Sequence, residues 1–441
     1  MTNILITYFE KMGSGNFNGI EIDSRKVTDG KWFICLEGEK THGVQFVNTA
    51  VKNGAGAIVV EKARRGEIPG NCPVPILEVE DVLSELHAFA SYYRSLFKGK
   101  VIGITGSAGK TTVKEMVLAV LRSGFRCAGT VGNYNNHLGL PYSILNAPID
   151  FDFYVFEIGT NHKGEIATLA SIMKPDWSYI TNIGTAHIGY FGNRDAIYIE
   201  KQELFNHTDE KGTLFINLDD PYLAGYKSTK RHITISVNSH ADYTLRSSSV
   251  NSDGFAEVDL GDYRITSPLP GKHQVHNLLA AVAIGSEAGL NPDKIRSGLQ
   301  SMTSISKRME IVQKNPYVII NDAYNANKES TCAAADYLES ISATGKIMVL
   351  GDIFELGDLS EQIHIEVGQY LQTKQFNHIL LVGNETGAIM DAIQDERFWY
   401  TKSKDELYFK IKEIVKPGDA VLFKASRGMA LETVIDKLTG E

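Results

Sequence analysis

The stretch "GITGSAGKTT" at positions 103–112 has the residue types and spacing of a loop that binds phosphate groups. The usual pattern G-x-x-x-x-G-K-[ST] places its first glycine at position 104, but this position is Ile104, with Gly103 and Gly106 on either side. Glycines let backbone N–H groups converge on phosphate oxygens, and a helix that begins behind them adds its positive end. The sequence therefore predicts a phosphate loop with a variant glycine spacing.

The flanking residues favour this interpretation over a glycine-rich turn that carries an ordinary lysine. The apolar run "KVIGIT" predicts a buried strand before the loop, and "KTTVKEMVLAVLRSG" predicts a helix after it. In that context Lys110 would neutralise phosphate charge, and Thr111 would hold Mg²⁺. The nucleotide-contacting loop residues are predicted to be Gly106, Ser107, Ala108, Gly109, Lys110, Thr111 and Thr112.

Two side chains that can bind metal follow the next apolar runs. Glu157 comes directly after "FYVF", and His187 follows "YITNIGTA". Because open α/β sheets place their ligands at the carboxyl ends of the strands, we expect both side chains near the loop. Mg²⁺ prefers hard oxygen ligands, so Thr111 and Glu157 are its natural protein ligands. His187 is either a ligand of a second metal or a hydrogen-bonded structural residue.

Lys201 lies in "EKQELF", a helical pattern with acidic and apolar neighbours. The residues alone favour an exposed lysine that pairs with Glu200 or Glu203, an interaction worth less than about 1 kcal/mol. On this basis alone Lys201 has no catalytic role.

The elements that must position these residues alternate between strand-like and helical runs, which predicts an α/β protein with parallel sheets and helical crossovers. We place the unit boundaries at 1–97, 98–308 and 309–441. The Thr- and Ser-rich stretch 232–267 predicts antiparallel hairpins appended to the sheet of the second unit. Short apolar strands such as "YVIIND", "KIMVLGD", "HILLVG" and "AVLFKAS" define the third unit.

Bulk composition excludes several classes of protein. A chain of 441 residues with 43% hydrophobic and 22% charged residues predicts a globular protein of two to four domains. A formal charge of −9 argues against a nucleic-acid or membrane-surface binder, because such partners require a basic face. The absence of an apolar membrane-span pattern and of a signal-peptide pattern predicts a cytoplasmic protein without membrane insertion. The four cysteines form no C-x-x-C pair, so neither a disulfide framework nor a zinc site is indicated.

The motifs occur in an order that resembles a known family. The stretches that carry the resemblance are "GITGSAGKTT", "TVGNYNNHLGLPYSIL", "FEIGTNHKGEI", "TNIGTAHIGYFG", "EKQELF", "HNLLAAVA", "DAYNANKES", "LGDIFELG" and "KASRGMALE". They resemble the Mur ligases of cell-wall synthesis, and most closely the branch that adds D-alanyl-D-alanine to UDP-N-acetylmuramoyl-tripeptide. The match covers almost the whole chain, and "DAYNAN" with "LGDIFELG" is its most branch-specific part.

The resemblance implies a fold and a reaction. It implies three domains: an N-terminal domain for the UDP-sugar, a central ATPase domain and a C-terminal Rossmann-like domain. The tripeptide carboxylate would attack the γ-phosphate of ATP to give an acyl phosphate, and the amine of D-alanyl-D-alanine would then form the amide. Such a reaction needs Mg²⁺ and Lys110 to stabilise phosphoryl charge, and it needs no side-chain nucleophile. The enzyme would act as a monomer, and the third residue of the tripeptide is diaminopimelate or lysine.

The resemblance also assigns site residues by position. Lys110, Glu157, His187 and Lys201 match catalytic positions, and Lys201 matches a lysine that many family members carry as a carbamate, an anion able to bind or orient Mg²⁺. The nucleotide would also contact Asn277, Arg308 and Asp322. Ser24 and Arg25 would contact the uridine diphosphate, and Asn135 and Asn136 the muramoyl peptide. The candidates for the incoming dipeptide are Tyr324, Asn325, Asn327, Ser426 and Arg427, with Arg427 pairing its carboxylate.

Two other classes of function are weighed against this one. Another Mur-type amide ligase, either a folylpolyglutamate synthase or an amino-acid-adding Mur enzyme, would use the same chemistry. The "DSR" motif in the first 97 residues argues against the folate branch, and the lack of a D-N-P-R motif argues against the adder of the third residue. A non-ligating P-loop NTPase predicts a base-reading N-K-x-D element, which the sequence lacks.

Overall fold

The N-terminal unit is built on a short parallel sheet. The computed structural model describes residues 3–38, 41–302, 305–314 and 316–440. The strands of this unit are β1 (Ile20–Glu21), β2 (Trp32–Ile34), β3 (Ala57–Glu61) and β4 (Ile76–Val79), and its helices are α1 (Ile4–Met12), α2 (Val47–Lys52) and α3 (Val82–Arg94). The four strands pair in sequence order, and every pair is parallel.

The central unit contains a seven-stranded parallel sheet. Its strands are β5 (Lys100–Thr105), β6 (Cys127–Gly129), β7 (Phe153–Glu157), β8 (Trp177–Ile180), β9 (Thr213–Asn217), β10 (Arg231–Ser236) and β11 (Tyr243–Thr244). They lie in the order β11-β10-β9-β8-β5-β7-β6. Because β5 is buried on both faces, its sequence is a continuous apolar run. The phosphate-loop stretch therefore begins at a strand between β7 and β8, where the strand order reverses and where such sheets bind ligands.

Helices cover both faces of this central sheet. They are α4 (Lys110–Arg122), α5 (Gly139–Leu145), α6 (Glu165–Met173), α7 (Ile188–Phe191), α8 (Arg194–Asn206), α9 (Pro221–Ala224), α10 (Gln274–Glu287) and α11 (Pro292–Gln300). Helix α4 buries Val113, Met116, Val117 and Val120, as the apolar spacing of its sequence predicts, and it packs against β7, α10 and α11. The phosphate loop is thus held between a buried strand and a buried helix.

The prediction for residues 232–267 was partly wrong. Strands β10 and β11 extend the central sheet, and both pair in parallel. The antiparallel strands β12 (Ser247–Val250), β13 (Phe255–Asp259) and β14 (Arg264–Pro270) form a separate three-stranded sheet instead of joining the central one. A composition rich in Thr, Ser and Val favours strands, but it does not specify which neighbour a strand pairs with.

The C-terminal unit contains a six-stranded sheet. Its strands are β15 (Glu310–Lys314), β16 (Tyr317–Asp322), β17 (Lys346–Gly351), β18 (His378–Val382), β19 (Phe398–Thr401) and β20 (Ala420–Lys424), and its helices are α12 (Lys328–Ser340), α13 (Ser360–Gln372), α14 (Gly387–Ala392), α15 (Lys404–Ile414) and α16 (Glu432–Thr439). The order is β15-β16-β20-β17-β18-β19, parallel except for the β15–β16 pair. The loops after β16, β20 and β17 are therefore neighbours at one edge.

Helix α3 connects the N-terminal and central units. Its apolar face buries Leu86 and Phe89 completely, and α3 packs against α5 and α6. The Tyr93 hydroxyl donates to the carbonyl of Ala147 over 3.1 Å. The Arg94 guanidinium donates to the Met173 carbonyl and also to Lys174 and Asp176, each bond being 2.8 Å. The two units therefore share one hydrophobic core.

The α/β class predicted from the sequence is confirmed. Within the described residues no helix is both long enough and apolar enough to cross a membrane. All four cysteines are free thiols, and Cys35 and Cys127 are buried.

Candidate active site

The conformation of the phosphate loop explains its variant glycine spacing. Ile104 is fully buried within β5, so it belongs to the core and not to the loop. Gly106 has a φ of +149°, and a Cβ at this position would lie 1.8 Å from the Thr181 hydroxyl. Gly109 has a φ of +81° and starts α4. The loop therefore turns at Gly106 and Gly109, and a glycine at position 104 is not needed.

Lys110 and Thr111 are the first two residues of α4. The Lys110 ammonium donates to the Gly106 carbonyl over 2.8 Å, and burial lowers the pKa of this lysine. The Thr111 hydroxyl donates to the Glu157 carboxylate over 2.7 Å and accepts a 3.1 Å hydrogen bond from Arg308. Arg308 belongs to the segment before β15, so this contact joins the phosphate loop to the start of the C-terminal unit.

Glu157 is almost fully buried at the end of β7, where the sequence predicted it. Its second oxygen accepts a 2.7 Å hydrogen bond from the side-chain amide of Asn135. The hydroxyl of Thr111 and the carboxylate of Glu157 are hard oxygen donors in direct contact, which is the ligand chemistry that Mg²⁺ takes from proteins while keeping waters and substrate phosphates. The two residues therefore fit a Mg²⁺ ion.

His187 lies in the same cleft, but a carboxylate holds its ring. Its Nδ1 is 2.6 Å from Oε2 of Glu355, in the loop after β17. This contact with His187 lowers the pKa of Glu355. Both residues have left-handed backbone conformations, with φ values of +63° and +65°, which are uncommon for residues other than glycine and cluster at functional sites. Nε2 of His187 is the ring nitrogen that would reach a metal.

Lys201 is not the exposed, paired lysine that the residues alone favoured. Its side chain is only 1% exposed, and burial lowers its pKa well below the ordinary value, with a further contribution from the nearby Lys110 charge. Glu200 turns away and accepts hydrogen bonds from the backbone N–H groups of Gly164 and Ile166, at 2.7 and 2.8 Å. Glu200 is therefore buried as well, and its charge opposes the lowering of the Lys201 pKa only in part.

The remaining nucleotide candidates line the cleft on two sides. Asn277 lies on α10, where its side-chain amide donates to Gln274 over 2.8 Å. Asp322 ends β16, accepts a 3.0 Å bond from the Met309 N–H and pairs with the Lys424 ammonium at 2.7 Å. Each of these side chains is held by the protein before any nucleotide binds.

The dipeptide candidates form a cluster in the C-terminal unit. The ring of Tyr324 lies between two guanidinium groups, 4.1 Å from that of Arg308 and 5.3 Å from that of Arg427. Asn327 caps α12 through a capping box and donates to the carbonyl of Ser107 in the phosphate loop over 3.4 Å. The cluster therefore faces the phosphate loop directly.

One cleft of about 850 Å³ brings most of the predicted residues together. Those that line it are Ser107, Ala108, Gly109, Lys110, Thr111, Thr112, Asn135, Asn136, Glu157, His187, Asn277, Arg308, Asp322, Tyr324, Asn325, Asn327, Ser426 and Arg427. Gly106 and Lys201 are not among the residues that line the cleft, but each interacts with Lys110, which does.

Ser24 and Arg25 lie in the N-terminal unit and are not among the residues that line the cleft. Ser24 is buried, and its carbonyl accepts a 2.9 Å hydrogen bond from Asn53. Arg25 is exposed and forms an ion pair of 2.8 Å with Asp23, and this contact lowers the pKa of Asp23 to about 2. The structure therefore gathers the nucleotide and dipeptide candidates, and leaves the two uridine-diphosphate candidates apart.

Sequence reasoning missed two residues that organise the cleft. Glu355 holds His187, and only its place in "LGDIFELG" could have indicated it. Lys114 is fully buried, and its ammonium donates to the carbonyl of Thr130 over 3.0 Å and to Glu115 over 2.5 Å. A lysine among the apolar residues of α4 was the available signal. Since Thr130 also accepts the backbone N–H of Glu157, Lys114 supports the loop that carries Asn135.

Three family models match successive parts of the chain. Residues 16–94 match the model described as "Mur ligase family, catalytic domain". Residues 104–285 match "Mur ligase middle domain", and residues 307–427 match "Mur ligase, glutamate ligase domain".

Whole-chain relatives agree with these matches. The chain is 36% identical to the "UDP-N-acetylmuramoyl-tripeptide--D-alanyl-D-alanine ligase" of Bacillus subtilis (strain 168), over 96% of this chain and 93% of the relative. It is 30% identical to the protein of the same name in Escherichia coli (strain K12), over 99% of both chains.

Solved structures show the same likeness. "Crystal structure I of MurF from Acinetobacter baumannii" superposes with a TM-score of 0.85 and 32% identity, over 96% of this chain and 93% of that one. A MurF ligase from Thermotoga maritima in complex with ADP superposes with a TM-score of 0.83 and 27% identity, over 96% and 97%. The chain belongs to the Mur ligase family.

Proposed function

We propose that this Mur ligase is an ATP-dependent amide ligase that joins D-alanyl-D-alanine to UDP-N-acetylmuramoyl-tripeptide in peptidoglycan precursor synthesis. The observation that carries the proposal is the single cleft, in which the phosphate loop of the central unit faces the Tyr324 and Arg427 cluster of the C-terminal unit. A nucleotide site opposite an amine-substrate site suits a ligase, whereas a non-ligating NTPase has no need of the second. The names of the curated relatives support the same activity.

The proposed reaction has two steps. A carboxylate oxygen of the tripeptide attacks the γ-phosphorus of ATP, the bridging P–O bond to the β-phosphate breaks, and ADP leaves. The amine of D-alanyl-D-alanine then attacks the carbonyl carbon of the acyl phosphate, its C–O bond breaks, and phosphate leaves with formation of the amide. The ammonium group of the dipeptide loses one proton to solvent before the attack and a second after the C–N bond forms, and the amide nitrogen keeps the third. Lys110 and Arg308 flank Thr111, where their charges stabilise the phosphoryl group during transfer.

Mg²⁺ would supply charge neutralisation between the ATP phosphates. Thr111 and Glu157 would hold it, and His187 would contribute Nε2 to the same region because Nδ1 is engaged by Glu355. Asn135 keeps the Glu157 carboxylate in place. These contacts orient the metal ligands before the substrates bind.

Lys201 is proposed to react with CO₂ to form a carbamate. The addition requires a neutral amine, and burial lowers the pKa of Lys201 in the direction that supplies one. A carbamate would replace this buried neutral amine, close to Lys110, with an anion able to orient Mg²⁺. In this step the amine nitrogen bonds to the carbon of CO₂, one C=O π bond becomes the carboxylate, and the nitrogen releases one proton to solvent.

The remaining assignments complete the proposal. Asn135 and Asn136 would contact the muramoyl peptide, Ser24 and Arg25 the uridine diphosphate, and Arg427 the dipeptide carboxylate. The three units would correspond to substrate, ATPase and ligase domains with boundaries near residues 97 and 308. The enzyme would work as a monomer in the cytoplasm, where ATP is made.

A coupled phosphate-release assay with a panel of UDP-linked peptides and amines tests the function. We expect release only when ATP, UDP-muramoyl-tripeptide and D-alanyl-D-alanine are all present, with tripeptides ending in diaminopimelate and in lysine compared side by side. Equal turnover with a single L-amino acid would assign another Mur-type activity. Release without any amine would instead favour a simple NTPase.

A further inference from the structure

Among the described residues, seven carboxylates line the cleft, and they differ in how many of their oxygens have partners within the protein. The seven are Glu157, Glu165, Asp219, Asp220, Asp322, Glu329 and Glu355. A carboxylate whose two oxygens both have hydrogen-bond or ion-pair partners within the protein has a structural role. A carboxylate with one oxygen that has no partner can accept hydrogen bonds from a ligand, since each oxygen carries two acceptor sites.

Six of the seven have a partner on each oxygen. Their partners are backbone N–H groups, hydroxyls, side-chain amides, histidine rings and the Lys424 ammonium. Glu355 is the exception, because Oε2 contacts His187 while Oε1 has no partner among the described residues. Its side chain is 34% exposed, so this free oxygen is accessible from the cleft.

Glu355 lies beside the cluster proposed to take the dipeptide. Two hydrogen bonds tie its loop to the loop after β20: the Phe354 N–H donates to the Ser426 hydroxyl over 2.8 Å, and the Ser426 N–H donates to the Asp352 carbonyl over 3.0 Å. The Phe354 ring also packs on Gly428, where a Cβ would lie 2.9 Å from the ring. Glu355 and Arg427 are thus held on two adjoining loops.

These two side chains have opposite charges and do not pair with each other in the part of the chain that is described. Arg427 instead contacts the hydroxyl of Tyr324 over 3.2 Å. D-alanyl-D-alanine is a zwitterion whose charged ends lie roughly 7 Å apart when it is extended. An anion and a cation on adjoining loops that line the same cleft have the charges needed for the two ends of such a molecule.

We propose that Glu355 binds the ammonium end of the incoming dipeptide while Arg427 binds its carboxylate, so that the pair selects a zwitterionic dipeptide. This inference rests on the proposed function and adds to it the residue that recognises the amine. Charge-assisted hydrogen bonds are stronger than neutral ones, so Glu355 would contribute both affinity and orientation to the attacking nitrogen. The free Oε1 is the atom that would accept the hydrogen bond.

The test compares Glu355→Gln with Asp358→Asn, which removes the same charge from an exposed position on the same loop. With ATP and UDP-muramoyl-tripeptide saturating, we expect Glu355→Gln to raise the KM for D-alanyl-D-alanine about 10- to 100-fold. Because Glu355 also contacts His187, the KM for ATP should rise too, but by a smaller factor than the KM for D-alanyl-D-alanine. Asp358→Asn should match the wild type throughout.

D-lactoyl-D-alanine, which has a hydroxyl in place of the ammonium, provides a second readout as a competitive inhibitor. The wild type should bind it more weakly than D-alanyl-D-alanine. Glu355→Gln should lose most of this preference for the dipeptide. If Glu355 had only a structural role, the preference would stay the same in the variant. An unchanged preference, or an effect confined to kcat or to the KM for ATP, would overturn the role of Glu355 while leaving the proposed function intact. Absence of phosphate release by the wild type would overturn both.

Discussion

The Glu329 carboxylate bonds twice to Thr185, once to its backbone N–H and once to its hydroxyl, and both distances are 2.9 Å. Glu329 lies in the first turn of α12, and Thr185 lies in the loop between β8 and α7. The neighbouring Gly184 leaves room for this contact, since a Cβ there would lie 2.8 Å from the Glu329 carboxyl carbon. The bond pair therefore fastens the C-terminal unit to the central unit at the cleft.

Replacing Glu329 should loosen this attachment. In Glu329→Gln the side-chain NH₂ group, which cannot accept a hydrogen bond, would face one of the two Thr185 donors. We therefore expect kcat/KM for ligation to fall about tenfold. Small-angle scattering of the free enzyme should show a larger radius of gyration than for the wild type. Glu361→Gln, an exposed change on α13, is the control. An unchanged scattering curve and rate would show that other contacts hold the two units together.

Lys110→Ala should lower product formation at least about 100-fold, because it removes the charge that stabilises the transferring phosphoryl group. Binding of the UDP-linked substrate, measured by calorimetry, should persist. Arg122→Ala removes a cation from the exposed end of the same helix and should leave the rate unchanged. Ligation at the wild-type rate in Lys110→Ala would remove the phosphate loop from the mechanism.

Lys201→Ala should lose activity, and small carboxylates such as acetate or formate should restore part of it. The added anion would take the place of the proposed carbamate in the space that the lysine leaves. Dose-dependent recovery by carboxylate, with none from chloride at equal ionic strength, is the expected result. Full activity in the unsupplemented variant would refute the carbamate.

Lys201→Met should raise thermal stability at neutral pH in enzyme freed of CO₂. A lysine whose pKa falls on folding binds fewer protons in the native state than in the unfolded state, so wild-type stability rises with pH up to the ordinary pKa of 10.5. The advantage of the methionine should therefore be larger at pH 7 than at pH 9.5. Melting temperatures at the two pH values check this. If the stabilising effect of Lys201→Met increased with pH, this result would contradict the lowered pKa of Lys201.

Lys114→Met should destabilise the protein by about 1–3 kcal/mol, because it leaves the buried carbonyl of Thr130 without a donor. Urea unfolding monitored by circular dichroism measures the change. We also expect the KM for the UDP-linked substrate to rise more than the Kd for ADP, since the supported loop carries Asn135. Equal effects on both ligands would indicate a general loss of structure.

The sequence predicted the local parts of the site better than the contacts between units. Lys110, Thr111 and Glu157 follow from short patterns, because a strand end or a helix start fixes where such side chains lie. The contact between His187 and Glu355 joins residues far apart in sequence, and it depends on how two sheets dock. The burial of Lys201 was also missed, because acidic neighbours in sequence suggested a solvated helix face, whereas tertiary packing determines which face is covered.

The contacts of α3 with the central unit can form only after a long part of that unit has been synthesised on the ribosome. The helix contacts α5 and α6, and Arg94 donates to the carbonyls of Met173 and Lys174. About 80 further residues must be made after α3 before these partners exist, which takes roughly 4–16 s at typical translation rates. During that interval Arg94 lacks its native acceptors, whereas Phe89 can already pack against Phe9, Phe17 and Trp32 of the N-terminal unit.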